Sequence, residues 1–440
     1  MARTSKFTQT LLSSILAVAA GSASAAAFQL AEVSTSGLGR AYAGEAAIAD
    51  NAAVVATNPA LMTQFKQAEI SVGAIFVDTN VNLEGEAALV NPQNPQQIMV
   101  KKSADQKNVV PNGLLPTLYF IKPINERFAV GAGMNVNFGM QSKFDSDYSA
   151  GIYGGSTKLA AVNLNLSGAY RISQGWSVGL GLNAVHAKAK LERNAGLVSN
   201  LYNAAAMQAG VNKKVADDST IVSRLQDSAW GFGWNAGVVY EFNQNNRFGV
   251  AYHSPIDIKF KDSEAYRFNF PKPITGPAEL TLNLPAYWEI SGYHKMTDKF
   301  AMHYSLKRTE WSRFKELRAT YTDGSEALHK PENFKDSTRI ALGASYDATD
   351  ALTLRAGIAF DETPLIEPYK SASIPDTDRT WYSLGATYAL TPNLSVDVGY
   401  THIRGKESTF VEKENGKPLV VKYTAKSKAN LYGLNVNYRF

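Results

Sequence analysis

The 440-residue chain contains no cysteine. This absence excludes disulfide frameworks, thiol nucleophiles and cysteine-ligated metals, and it is unremarkable in a protein that crosses an oxidising compartment. Long hydrophobic runs are also missing after residue 25, where no stretch reaches the roughly 18 apolar residues of a membrane helix. Charge of one sign is not clustered either, because 44 Lys and Arg are scattered among 39 Asp and Glu. No nucleic-acid-binding surface is therefore predicted.

The first 25 residues predict a secretion signal. Arg3 and Lys6 precede an apolar run over residues 11–18, and residues 23–25 read Ala-Ser-Ala, a small-residue cleavage site. The apolar run is shorter than a membrane span, which favours cleavage over an uncleaved anchor. We expect export and a mature chain that begins at Ala26.

From about residue 68 onward, apolar and polar residues alternate with a period of two, the pattern of β-strands. In the last strand one face carries Tyr432, Leu434, Val436, Tyr438 and Phe440. Fourteen such segments are predicted, the first at 68–78 and the last at 430–440. Short connections between them alternate with long ones, as periplasmic turns alternate with extracellular loops in outer-membrane barrels.

The predicted fold is therefore all-β: a transmembrane antiparallel β-barrel of 14 strands. Hydrocarbon offers no partner for backbone N–H and C=O groups, so strands that cross a bilayer need a closed sheet. A β-sandwich or a propeller is the alternative, but neither explains a secretion signal together with alternation over all strands. Three of the predicted strands are 246–260, 279–294 and 299–311.

Residues 26–67 do not alternate. They are rich in Gly and small residues, which permit a tight irregular backbone, and they carry scattered apolar anchors. Irregular backbone at membrane depth is tolerated inside protein, so we predict a hatch, or plug, within the barrel lumen. A floppy periplasmic tail is the alternative. The predicted organisation is signal peptide 1–25, hatch 26–67 and barrel 68–440.

Several motifs resemble the FadL family of long-chain fatty acid transporters. The hatch motifs are residues 28–30, 36–42, 44–45 and 48–50, and the motif Asn58, Pro59, Ala60 and Leu61. Further similar stretches are 163–171, 230–237, 281–285, 339–343, 357–361 and 373–376. The resemblance covers the whole mature chain.

The resemblance implies passive uptake of long-chain fatty acids through the bacterial outer membrane. In the family, a ligand enters an extracellular hydrophobic groove, passes to an internal pocket and leaves sideways through a gap where the third strand kinks. The groove matches the loops 194–226 and 261–278, and the kink matches Asn137, Phe138 and Gly139. A glycine suits a break in strand pairing. Ordinary packing against the hatch is the alternative for Gly139.

The resemblance also implies a head-group site. Arg193 and Lys330 match the family's cations for the ligand carboxylate, to which an arginine can donate two parallel hydrogen bonds. Both residues lie where strands become loops, so a solvated surface cation is the alternative. Phe28, near the new N-terminus, is expected to contact the ligand.

Three other functions remain open. An outer-membrane lipase or protease is disfavoured because none of the six His lies in an H-E-x-x-H motif and no G-x-S-x-G motif serves them. A general porin would need an unplugged lumen. Uptake of aromatic hydrocarbons by the same route is the third. We expect a monomer that contacts outer-membrane lipid and lipopolysaccharide, without catalytic residues, cofactor, metal or an inner-membrane energy partner.

Overall fold

The structure, a computed structural model, describes residues 27–440, except for the side chains of residues 262 and 263. The predicted signal peptide, 1–25, lies outside the described residues. The strands are β1 Glu69–Asn91, β2 Asn94–Ser103, β3 Gly113–Pro123, β4 Phe128–Lys143, β5 Ser156–Arg171, β6 Trp176–Asn194, β7 Ile221–Asn243, β8 Asn246–His253, β9 Ile256–Arg267, β10 Ile274–Leu284, β11 Tyr287–Lys295, β12 Phe300–Thr309, β13 Glu316–Tyr321, β14 Glu326–Pro331, β15 Ser337–Asp347, β16 Leu352–Asp361, β17 Arg379–Ala389, β18 Leu394–Gly405, β19 Ser408–Lys413 and β20 Leu419–Arg439.

The helices are short. They are α1 Thr35–Leu38, α2 Val54–Thr57 and α3 Ser199–Gln208, with 3-10 helices at Pro59–Gln64, Gly196–Val198 and Trp311–Arg313. None of the helices between residues 27 and 440 is long and apolar enough to cross a membrane.

The sheet closes on itself. β1 pairs with β3 on one edge and with β20 on the other, from Glu69 opposite Arg439 to Leu89 opposite Leu419. Five pairs of consecutive strands each form one interrupted wall strand: β8 with β9, β10 with β11, β12 with β13, β14 with β15, and β18 with β19. β2 is a hairpin strand on the end of β1. The result is a closed antiparallel barrel of 14 wall strands, which confirms the predicted fold class.

Several predicted strand limits were wrong. The first and last strands run 69–91 and 419–439, because both continue beyond the apolar part of the wall. The predicted strands 246–260 and 279–294 are interrupted at 254–255 and at 285–286, where Pro255 and Pro285 have no N–H to donate to a ladder. The predicted strand 299–311 ends at Thr309 and is followed by a 3-10 helix.

The outer face of the wall carries a belt of exposed apolar side chains. On β5, for example, Leu166 is 68% exposed, whereas its neighbour Asn165, which faces inward, is only 3% exposed. Comparable exposed apolar residues on other strands are Phe76, Leu118, Leu182, Phe232, Val250, Ile290, Leu306, Leu342, Phe360, Leu384, Val398 and Leu434. A belt of this kind around a closed barrel matches the hydrocarbon layer of a bilayer.

The two rims of the barrel differ. The wall begins and ends at the same rim, where Phe440 N donates to Ala68 O at 3.0 Å. The turns at this rim are short, such as 172–175 and 348–351. Long connections, among them 144–155, 195–220 and 362–378, lie at the opposite rim. The first rim is therefore periplasmic and the second extracellular.

Candidate ligand-binding site

The N-terminal segment lies inside the ring of strands. Helix α1 contacts β17, β18 and β20 on one side of the lumen, and the 3-10 helix Pro59–Gln64 contacts β5, β6 and β7 on the other. Leu38, Ala43, Val55 and Leu61 of this segment are almost completely buried. Residues 27–64 thus bridge the lumen and bury their apolar side chains against its inner wall.

Asn58 connects Ala46 and Ala60 of this segment to β7 of the wall. Its Oδ1 accepts from Ala60 N at 3.1 Å, and its Nδ2 donates to Ala46 O at 2.7 Å and to Val238 O at 3.3 Å. Pro59 suits the first turn of the 3-10 helix because that position has no N–H bond to lose. Since Asn58 is fully buried, each of these bonds would be costly to leave unmade.

Two wall glycines permit this close approach. A Cβ at Gly237 would overlap Asn58 Oδ1, and a Cβ at Gly179 would overlap the backbone at Pro59 and Ala60. The backbone of residues 58–60 can therefore press directly against β6 and β7. Larger side chains at either glycine would push it away.

A buried ionic cluster fixes the middle of the segment. Arg40 pairs with Glu45 at 2.7 Å and with Asp50, and Arg355 of β16 lies 3.6 Å from Asp50. Arg40 also donates to Ala43 O at 2.9 Å. Removing one partner from such a cluster leaves uncompensated buried charge, which costs about 3–5 kcal/mol. The cluster therefore ties residues 40–50 to the wall.

The wall has a local discontinuity between β3 and β4. Their ladder stops at Leu118 opposite Met134, although β4 continues to Lys143. Asn137 is bulged out of the β4–β5 ladder, while Gly139 stays paired with Ala160 of β5. The predicted kink residues therefore lie where β4 has lost its partner on one edge.

Residues 28–30 occupy the edge that β3 leaves. Leu30 N donates to Asn137 O at 3.0 Å, and Gly139 N donates to Phe28 O at 2.9 Å. Gln29 and Phe138 form the antiparallel bridge between these two bonds. Gly139 matters here because a Cβ would come within 3.2 Å of Leu30 Cδ1. Residues 28–30 thus act as a short replacement strand beside β4.

Phe28 is the centre of an aromatic cluster. Its ring lies 4.6 Å from that of Trp311, 5.3 Å from Phe314 and 6.4 Å from Phe138, all tilted or edge-on. Beside it lies a cavity of about 80 Å³ whose lining is almost entirely apolar. Further lining residues include Leu159, Phe260, Leu280, Leu282, Leu317 and Leu328. Thr157, Lys158, Lys190 and Asp227 also border this cavity, but almost all of its lining surface is apolar.

A larger, polar cavity of about 520 Å³ adjoins the apolar one at its extracellular end. Leu191, Leu317 and Leu328 line both cavities, and both Arg193 and Lys330 line the polar one. The structure therefore brings together the two cations that sequence resemblance selected, next to an apolar pocket that Phe28 lines.

The two cations differ in their partners. Arg193 is 8% exposed and donates to Thr157 Oγ1 at 3.1 Å and to Glu192 O at 3.0 Å; among the described residues it forms no ion pair. Lys330 donates to Ser371 Oγ at 2.8 Å and lies 3.2 Å from Glu332 Oε1. Arg193 is consequently the cation whose charge is available to a ligand.

Carboxylates also face the polar cavity. Glu412, on β19 beyond the apolar belt, is 4% exposed and accepts from Ala372 N at 2.8 Å. Burial raises its pKa to about 7, although Lys330 and Arg193 oppose this shift. Burial also raises the pKa of Glu332. Near neutral pH, the protonated form of Glu412 limits the negative charge around Arg193.

The extracellular loops cover the polar cavity. Helix α3 lies in the connection between β6 and β7, and its Tyr202 ring is 4.8 Å from Phe268 in the connection after β9. Val198, Tyr202 and Phe268 line the cavity. The two loops expected to form an outer groove are therefore in contact at its mouth.

One histidine, His303, contacts a serine hydroxyl: its Nε2 lies 3.0 Å from Ser345 Oγ. Its Nδ1 has no hydrogen-bond partner among the described residues, whereas a catalytic histidine needs an orienting group there. Within residues 27–440, no group of three or more His, Asp or Glu could hold a metal ion.

A family model described as outer membrane protein transport protein (OMPP1/FadL/TodX) matches residues 16–440. The chain belongs to this family. A 47 kDa outer membrane protein of Pasteurella multocida is 60% identical over the full length of both chains. The long-chain fatty acid transport protein of Escherichia coli K12 is 41% identical, also over the full length of both. The chain is accordingly an outer-membrane protein.

Solved structures of OMPP1/FadL/TodX members share the fold. A Pseudomonas aeruginosa FadL homologue superposes with a TM-score of 0.80 at 24% identity, covering 94% of this chain and all of that one. The Pseudomonas putida toluene transporter TodX gives a TM-score of 0.64 at 16% identity over 89% of this chain and 95% of that one. The family therefore includes members named for fatty acids and for an aromatic hydrocarbon.

Sequence reasoning missed part of the site. Trp311 and Phe314 contact Phe28, yet they fall at the end of a predicted strand and beyond it. Glu332 lies in a connection and Glu412 on the short strand β19, and both fall outside the predicted strands, where no pattern indicated which way a side chain points. Only the clustering of aromatic residues over 311–314 could have suggested the first pair.

Proposed function

We propose that this protein carries long-chain fatty acids across the outer membrane by passive diffusion. The observation that carries this proposal is the adjacency of the two cavities: a buried arginine without an acidic partner lines the polar one, and apolar side chains line the other. Such a pair suits an ionised head group on an alkyl chain. An alkyl chain gains roughly 0.8 kcal/mol per buried CH₂ group.

Release is proposed to occur sideways, through the discontinuity between β3 and β4. Three observations support this route: the β3–β4 ladder stops at Met134, residues 28–30 fill the edge beyond it, and Phe28 also lines the apolar cavity. A ligand that displaces residues 28–30 would enter hydrocarbon directly. Passage through an aqueous pore would instead forfeit the favourable burial of its chain.

Residues 26–67 are proposed to act as a plug. The support is the burial of most residues between 27 and 62 within the lumen and the close approach of residues 58–60 to β6 and β7. A general porin is disfavoured on the same ground. We also propose that the protein is not an enzyme, which the lack of an orienting partner for His303 supports.

The plug can be tested with one added methyl group. Gly237→Ala places a Cβ against Asn58 Oδ1, so we expect residues 58–60 to move and small solutes to leak. Liposome swelling with sugars of increasing size measures the leak. Gly168→Ala is the matched control, because its Cβ would meet only the Phe128 ring, no closer than 3.7 Å. Equal impermeability of both variants would contradict the plug.

Binding of a fatty acid should weaken as pH rises from 6 to 8. With its pKa raised to about 7, Glu412 is mostly protonated at pH 6 and mostly ionised at pH 8, whereas the ligand carboxylate is ionised throughout. The added negative charge should lower affinity by about threefold to tenfold. Oleate titrations of wild type and Glu412→Gln measure this effect.

The Glu412→Gln variant should lose most of that pH dependence. Because His329 lines the same cavity, His329→Asn serves as the matched control. Its oleate affinity should depend on pH as that of the wild type does. If the pH dependence of oleate affinity persisted in Glu412→Gln and disappeared in His329→Asn, the histidine and not Glu412 would be its cause.

Uptake of aromatic hydrocarbons is the second candidate function. The apolar cavity and the toluene transporter among the structural relatives favour it, whereas Arg193 favours an acid. Uptake of labelled oleate and of labelled toluene should be compared in cells that depend on this protein for entry. Saturable uptake of oleate alone supports the fatty acid, and saturable uptake of toluene alone overturns it.

A further inference from the structure

The apolar cavity beside Phe28 is small for a long alkyl chain. Its volume is about 80 Å³, whereas one benzene ring, with six carbons, occupies a protein cavity of about 150 Å³. A long-chain fatty acid has many more carbons than that. Because the adjoining cavity around Arg193 has a mostly polar lining, the rest of the chain needs further apolar space.

A second cavity lies next to the first. It measures about 50 Å³, and Ala27 lines it, whereas the neighbouring Phe28 lines the first cavity. Two side chains, Met140 of β4 and Ile374 of the connection 362–378, line both cavities. Residues 27–28 and these two side chains therefore form the partition between them.

The lining of the second cavity is mostly apolar. Four buried apolar side chains line it: Val81 of β1, Val110 of the connection before β3, Ile403 of β18 and Ala429 of β20. Its two buried charged residues, Asp376 and Arg379, form an ion pair with each other, and Asp376 also accepts from Ala27 N at 3.1 Å. Because these charges are already paired, the cavity suits an alkyl chain better than a charged group.

Met140 is the movable member of the partition. Methionine has an unbranched, flexible side chain that adapts to the space around it. Ile374 is held more firmly, because its N donates to Ser371 O at 3.3 Å and its O accepts from Asp376 N at 2.9 Å. A rotation of the Met140 side chain would thus widen the passage between the cavities while the backbone on both sides stays in place.

We propose that the second cavity binds the end of the alkyl chain and sets the chain length that the protein binds most tightly. We call it the tail cavity. This inference rests on the proposed function, with the carboxylate at Arg193 and the chain running past Phe28 and Met140. Each CH₂ group that moves from water into apolar space raises affinity by about fourfold, or about 0.8 kcal/mol. Long acids that reach the tail cavity should therefore bind more tightly than short acids that end before it.

The test fills the tail cavity. Ala429→Leu adds an isopropyl group at its wall, which should displace about two or three CH₂ groups of palmitate and weaken palmitate binding by roughly 15- to 60-fold. Octanoate, whose chain is half as long, should bind this variant as it binds wild type. Equilibrium binding of both labelled acids is measured on the purified full-length protein in one detergent, so that partition of each acid into micelles cancels between variants.

The matched control is Ala356→Leu. Ala356 is exposed on the outward face of β16, so the same group is added to the lipid-facing surface, and both acids should bind as they bind wild type. Met140→Ala tests the partition in the opposite direction. Because it widens the passage to the tail cavity, the ratio of palmitate affinity to octanoate affinity should rise by about fourfold or more.

Unchanged palmitate binding by Ala429→Leu would overturn the tail cavity. Equal loss of both acids in this variant would show general damage to the binding site, and the same palmitate loss in Ala356→Leu would show an effect unrelated to the cavity; either result also overturns it. If Ala429→Leu does not fold, an affinity ratio in Met140→Ala that is no higher than that of wild type overturns it alone. If wild type binds neither acid, the proposed function itself fails, and the tail cavity fails with it.

Discussion

Replacing Arg193 with glutamine should weaken oleate binding by roughly 10- to 100-fold, because a hydrogen bond to a charged group contributes about 1.5–3 kcal/mol. The guanidinium is buried, and its two partners, Thr157 Oγ1 and Glu192 O, are both uncharged. Its charge is thus free to meet a carboxylate. Isothermal titration of oleate into wild type and variant measures the loss.

Lys330→Gln provides the internal comparison. Glu332 and the hydroxyl groups of Ser371 and Ser373 already engage the Lys330 ammonium, so its removal should weaken oleate binding by less than about tenfold. Toluene, which has no carboxylate, should bind both variants as it binds wild type. Circular dichroism confirms that each variant retains its β-structure. A double variant that binds oleate unchanged would show that neither residue holds the head group.

The barrel could be predicted from the sequence because the pattern that specifies it lies within each strand. Hydrocarbon outside and polar packing inside force the period-two pattern on every wall strand, as Leu166 and Asn165 illustrate. Strand ends were less predictable. Beyond the belt both faces are polar, so the pattern that defines β1 and β20 within the membrane disappears although pairing continues to Leu89 and Leu419.

The candidate binding site could be predicted only through family resemblance. Arg193 and Lys330 are far apart in sequence and meet only because β6 and β14 end around the same cavity. Nothing local distinguishes Arg193 from Arg224, which is on the next strand and faces outward. Sequence periodicity assigns a face only where strands are regular. The glutamates that adjust the charge of the cavity lie where that regularity has ended.

The start of the N-terminal segment and the wall discontinuity belong to one arrangement. β4 loses β3 as a partner, and residues 28–30 replace it with two backbone hydrogen bonds. The same residues present Phe28 to the apolar cavity. Because residues 28–30 both close the wall and line the pocket, we propose that their movement opens the pocket toward the bilayer.

Locking residues 28–30 to β4 should therefore block uptake. Gln29 and Phe138 form a non-hydrogen-bonded antiparallel pair, flanked by the bonds from Leu30 and Gly139. Such pairs have Cα atoms about 4.5 Å apart, within the range that a disulfide spans. The chain has no other cysteine, so Gln29→Cys with Phe138→Cys gives a single defined bridge. We expect oleate uptake to fall in proportion to the cross-linked fraction and to recover with reductant.

The single variants Gln29→Cys and Phe138→Cys control for the lost contacts with Thr309 and Trp311. Each should transport equally with and without reductant, because neither can form the bridge. Mass spectrometry after alkylation gives the cross-linked fraction, and oleate binding to the purified bridged protein separates release from capture. Retained binding with blocked uptake is the expected combination. If the fully bridged protein transports oleate as fast as its reduced form, residues 28–30 do not move during transport and the ligand leaves elsewhere.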